Sequence, residues 1–214
     1  MNFNFVRSVN SLMDDTVKTI FSHDFGSANY GYAITKVKID GQKVLFRIIE
    51  NGLCPSTIRD LSSTKQRQVQ RDSFISWLSG IRDQHQPDVL AGERYMTRGI
   101  KGPTIESVNI MIGAVENSPV FWPQMIKIIP AATWKNAVKR AGIDLKAEYK
   151  RVRVTPHQLD AVLIGLYIGF RGYGRKDFGD VDLPAIWDSI LDQVELTSTN
   201  RLINRKVTGR VLPD

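Results

Sequence analysis

Residues 159–170, LDAVLIGLYIGF, are apolar nearly all round, with Asp160 as the one charged interruption. A helix of this kind has no solvent face and must be buried, most economically against a sheet. The preceding TPHQ marks where it starts: Thr155 is a candidate N-cap, Pro156 suits the first helical position and Gln158 is placed to complete a capping box. Asp160 then becomes the sharpest clue in the chain. A carboxylate beside a buried run is costly unless a proton, a cation or the helix N-terminus neutralises it.

The remaining periodicities supply the sheet. Val17 to Asp24 reads as a strand, and Tyr30 to Lys38 and Val44 to Glu50 read as two more, joined by the hairpin signal Asp40-Gly41. Phe74, Trp77, Leu78 and Ile81 recur at helical spacing, which predicts a helix over about residues 65–84 that stops before Pro87. PDVLAGE follows as a short buried strand, Thr104 to Val115 as a helix and MIKIIP as a strand. Trp134, Ala137, Val138 and Ala141 mark another helix, and Leu183, Ile186, Trp187, Ile190, Leu191 and Val194 an amphipathic one. Phe5, Val9, Leu12 and Met13 predict a short amphipathic helix over residues 3–16. The order implies an α/β fold: a mixed five-stranded sheet, antiparallel at first, flanked by helices. Residues 1–16 form an N-terminal extension, 17–170 the main domain, and 171–214 a closing helix with an extended basic tail.

Charge and cysteine content narrow the partners. A formal charge of +7 and a pI near 9.6 favour a polyanionic partner, nucleic acid first among them. Cys54 is the single cysteine, which excludes disulfide frameworks and cysteine-rich zinc sites. No apolar run is long enough to span a bilayer, so a cytoplasmic protein without a membrane partner is expected.

Four polar residues fall where such a sheet gathers its ligand sites, outside the strand ends. Asp24 closes the first strand of the main domain, Glu93 closes PDVLAGE, and His157 and Asp160 sit i, i+3 on one helical face. Singly, each has a plain explanation: a turn cap, a partner for Arg94 or Arg98, a surface histidine, a helix-terminus contact. Together they suit a hard divalent cation, with oxygen ligands favouring Mg²⁺ or Mn²⁺ over zinc.

DFGSANYGYAI, LAGERYM and TPHQLDAVLIGLYIG resemble the three acidic motifs of the RuvC-type Holliday junction resolvases, members of the RNase H-like superfamily. The first carries the family's Asp-x-Gly-x-x-x-x-Gly pattern, the second ends a strand with its glutamate, and the third has His157 in the first ligand place. This resemblance covers residues 17–170 and implies a homodimeric nuclease that cuts four-way DNA junctions by symmetric nicks. It also implies two metal ions per site, Asp24 contacting both and Glu93, His157 and Asp160 completing their coordination. In the family a wedge follows the glutamate, which points here to Tyr95 or Met96, with Arg98 and Lys101 beside it. Family lysines that approach DNA follow the fifth strand, which makes Lys135, Lys139 and Lys146 the candidates. Arg171, Arg175, Lys176, Arg201, Arg205, Lys206 and Arg210 are further candidates for phosphate contacts. A bacteriophage origin would fit the divergence from the family.

Two other classes compete with this reading. DFGSANYG also resembles the phosphate loop of actin-like ATPases and sugar kinases, although the second domain and second loop those proteins need are not found in this length. Alternatively the chain binds junctions without cutting them; carboxylates facing phosphates argue against that, since they weaken a pure DNA binder.

Overall fold

Along KTIFSHD the side chains alternate, sending Ile20, Ser22 and Asp24 to one face of a strand and Phe21 and His23 to the other. Both faces are covered, because every residue from Thr19 to Asp24 is buried. In this computed structural model the described residues are 4–7, 17–26, 29–40, 43–94, 102–117, 120–122, 125–172, 178 and 181–199.

Six strands form one sheet: β1 (Asn4–Arg7), β2 (Lys18–Asp24), β3 (Gly31–Asp40), β4 (Lys43–Leu53), β5 (Val89–Arg94) and β6 (Ile126–Pro130). Their order is β1-β4-β3-β2-β5-β6. The pairings β1/β4, β3/β4 and β2/β3 are antiparallel, whereas β2/β5 and β5/β6 are parallel. This is the mixed α/β sheet the sequence predicts, with its five strands in place and a sixth at the edge. The sixth corrects the expectation of a helix over residues 3–16, since Asn4–Arg7 pairs with Lys43–Phe46. The outer edge of β4 offers unpaired backbone groups, and a strand satisfies them where a helix does not. The other positions that suggested the helix, Val9, Leu12 and Met13, lie outside the described residues.

Helices cover both faces. α1 (Thr64–His85) and α2 (Pro103–Glu116) bury Phe74, Leu78, Val108 and Met111 with Phe21 and Ile34 on one side. On the other, α3 (Ala131–Arg140), α5 (Pro156–Gly172) and α6 (Leu183–Thr197) enclose Ile20, Val37 and Phe46. The seven-residue α4 (Leu145–Arg151) follows α3, with the Asp144 side chain capping it by accepting from the Lys146 N–H at 3.0 Å. No helix among the described residues is long and apolar enough to cross a membrane.

α5 is the helix whose burial the sequence demands. Leu159 to Tyr167 are all buried, and the capping box is present: the Thr155 N–H donates to Gln158 Oε1 at 3.1 Å and the Gln158 N–H to Thr155 Oγ1 at 3.4 Å. Glycines let it lie close to the sheet. A Cβ on Gly165 would stand 2.7 Å from Ser22 Oγ, and one on Gly31 would stand 2.0 Å from the His157 carbonyl oxygen. The start of α5 is thereby pressed against the β2/β3 end where Asp24 lies. Gln158 fixes it further by donating from Nε2 to Asn51 Oδ1 at 3.0 Å and to Ser198 Oγ at 2.9 Å.

Candidate metal centre

Parallel strands with a register of His23 to Gly92 carry their next residues, Asp24 and Glu93, side by side at the strand ends. Asp160 reaches the same point from the first turns of α5. Ligand oxygens of Asp24, Glu93 and Asp160 all lie within 4.8 Å of one another. Three carboxylates at that spacing repel, and burial deprives them of water. Burial raises the pKa of Asp160, with Asp24 adding to the rise, and Glu93 is raised by the same two causes in the same order.

Each carboxylate is met by a donor of its own. Asp24 Oδ2 shares a short contact with His157 Nδ1, which raises the pKa of that imidazole against the opposing effect of its burial. Glu93 Oε2 accepts from Trp134 Nε1 at 3.0 Å. Asp160 Oδ1 accepts from the Tyr149 hydroxyl, and Asp160 Oδ2 lies 3.0 Å from Lys135 Nζ, which is also 3.7 Å from Glu93 Oε2. Burial lowers the Lys135 pKa, but Asp160 and Glu93 outweigh it and leave the ammonium more firmly protonated than usual.

Of the four residues singled out by sequence, Asp24, Glu93 and Asp160 are thus brought together as one oxygen-donor set. His157 stands beside them, half-buried and bound to Asp24. Of the candidate DNA contacts, Lys135 faces the carboxylates, while Lys139 and Lys146 are exposed. All three line a cavity of about 560 Å³ between α3 and α4, together with Gly142 and Asp144. Arg171 donates from Nη1 to the Tyr167 hydroxyl at 3.1 Å. Tyr95, Met96, Arg98, Lys101, Arg175, Lys176, Arg201, Arg205, Lys206 and Arg210 lie outside the described residues.

Sequence reasoning missed Trp134 and Tyr149 as members of the site. Trp134 was legible only as an apolar mark on a helix. Tyr149 sits on α4, whose LKAEYKR has no apolar period; Asp144 ahead of good helix formers was the available signal. The donor set itself fits a hard divalent cation. It offers three clustered carboxylates, and burial together with the neighbouring Asp24 raises the pKa values of Glu93 and Asp160; a cation offsets the negative charge gathered there.

No protein-family model matches the chain, and no curated protein matches it in sequence. Solved structures do match. Thermus thermophilus RuvC aligns with a TM-score of 0.53 at 14% identity, covering 73% of this chain and 96% of that one. T. thermophilus RuvC in complex with a Holliday junction substrate aligns with a TM-score of 0.50 at 18% identity, over 77% and 98% of the two chains. The fold of this chain is therefore the RuvC type of the RNase H-like architecture.

Proposed function

We propose that the chain is a divalent-cation-dependent endonuclease that resolves four-way or other branched DNA junctions by hydrolysing phosphodiesters, with one site in each subunit of a homodimer. The observation that carries this reading is the convergence of Asp24, Glu93 and Asp160 at the strand ends of a RuvC-type fold. The positive charge of the chain and the DNA-bound state of one structural neighbour support branched DNA as the substrate.

Asp24, Glu93 and Asp160 would hold the cations, with His157 as a fourth donor, and Mg²⁺ or Mn²⁺ suits oxygen ligands best. A pair of such ions, when bound, lowers the pKa of an attacking water and stabilises the leaving oxygen of an in-line displacement. The protein's own contribution is placement. Trp134 and Tyr149 fix single oxygens of Glu93 and Asp160, so these carboxylates meet a cation in a set orientation rather than after rearrangement. Lys139 and Lys146 give the adjoining groove the charge to hold a phosphate backbone. Homodimerisation rests on symmetry: a four-way junction has two equivalent strands to cut, and a two-fold dimer matches them.

Labelled four-way junction, flap and linear duplex, each incubated with Mg²⁺, Mn²⁺ or EDTA, test the reading. Paired symmetric nicks in the junction, abolished by EDTA, are expected. Preferential cutting of flaps would retain the nuclease and remove the junction; binding without cleavage in every metal would remove the catalytic reading.

A further inference from the structure

Both oxygens of Asp160 already have a partner. Tyr149 donates to Oδ1, and Oδ2 faces Lys135 Nζ at 3.0 Å, while the same ammonium stands 3.7 Å from Glu93 Oε2. A divalent cation held by Asp24, Glu93 and Asp160 must draw on these carboxylates, and two cations sharing them repel each other. Lys135 has a second place to go. Its side chain also lines the α3–α4 groove with the exposed Lys139 and Lys146, and it is itself 39% exposed, so its stem can swing without unpacking the core.

We propose that Lys135 is a built-in counter-cation that the divalent cation displaces, and that the freed ammonium then adds to the groove as a contact for a DNA phosphate. Metal and DNA binding are thereby coupled through one side chain. Before metal enters, Lys135 offsets the excess charge of the carboxylates. Once metal has entered, the lysine is surplus in the acidic cluster and available to the polyanion. The coupling is reciprocal, so DNA that recruits Lys135 also favours metal entry. This inference rests on the reading of the acidic cluster as a metal site and deepens it.

Calorimetric titration of the DNA-free protein with Mn²⁺ tests the first half, comparing the wild type with Lys135→Met and Lys139→Met. Lys135→Met is expected to bind Mn²⁺ about ten-fold more tightly, because a positive charge has left the immediate surroundings of the ligands. Lys139→Met, which among the described residues has no ion pair with a carboxylate, is expected to match the wild type. Equal or weaker binding by Lys135→Met overturns the inference and leaves the metal site standing; no binding by any of the three proteins overturns the metal site itself.

The second half is read from the salt dependence of binding to intact four-way junction DNA, in EDTA and in Ca²⁺, with DNA integrity checked on a gel. On going from EDTA to Ca²⁺, the wild-type slope is expected to steepen by about 0.9 more than that of Lys135→Met, the increment of one added phosphate contact. The same change in both proteins would overturn the transfer to DNA. An absence of DNA binding by both proteins would instead overturn the proposed function, with the Mn²⁺ titration still deciding the displacement.

Discussion

His23 and Asp24 are neighbours on β2, yet they solve opposite problems on opposite faces of the sheet. His23 enters the layer under α1, stacked on Phe25 and beside Phe21, with Nδ1 sharing a hydrogen bond with the Tyr30 hydroxyl. Among the described residues its Nε2 has no hydrogen-bond partner. Complete burial pushes its pKa down to about 3, so it is held neutral. Asp24 faces α5, where two more carboxylates, His157 and Lys135 crowd the same point. One face tolerates a polar group by removing its charge; the other gathers charge and meets it with counter-charge. Burial by itself therefore does not make a site. His157, with the same side chain as His23, shifts upward because a carboxylate faces it.

The largest expected effect breaks the charged side. Asp24→Asn or Asp160→Asn should lower junction cleavage by about 10²–10³-fold or more while DNA binding persists, because charge for the metal is lost and the basic surface is kept. A matching loss for His23→Gln in the folded protein would show that the two faces are not functionally separate.

The neutral side should dominate acid denaturation. With its folded pKa lowered to about 3, His23 favours the unfolded state as pH falls from about 6.5 towards 3, at a cost on the order of 4–5 kcal/mol. Asp160, Glu93 and His157 have raised folded pKa values and carry the opposite sign. Their contribution is full below the unfolded values and is lost as pH rises through the folded ones. Urea denaturation from pH 3 to 8 should therefore show opposing limbs. The double variant His23→Phe/Tyr30→Phe should flatten the acid limb, since it removes both polar partners together.

A divalent cation should abolish the penalty that rising pH places on the carboxylates. At a hundred times its Kd, Mg²⁺ should stabilise the protein by about 2.7 kcal/mol, a rise in Tm of roughly 5–10 °C. Thermal scans with Asp160→Asn should show most of that rise missing; an undiminished rise would place the cation elsewhere.

The smallest effect tests orientation. Tyr149→Phe leaves Asp160 ionisable but no longer held at Oδ1, and metal affinity should weaken about ten-fold at unchanged stoichiometry. Unchanged affinity would make Tyr149 a packing residue.

How much of this was legible follows the range over which each signal acts. β2 to β5, α1, α2 and α5 were readable because hydrophobic period, caps and Pro87 act within one element. Asn4–Arg7 were misread because Phe5 belongs to a helical spacing, whereas pairing to the open edge of β4 decided them. α4 was missed because a seven-residue charged helix has no apolar stripe to show.

Sequence alone determined that α5 must be buried, that Asp160 needs compensation, and that Asp24 and Glu93 each end a strand. These follow from local period and the cost of a buried carboxylate. Only the tertiary structure decided what compensates them. Lys135, Trp134 and Tyr149 arrive from α3 and α4, elements separated in sequence from β2 and β5, and pairing across such a distance is set by packing. The charge requirement was written in the chain; the side chains that meet it were chosen by the fold.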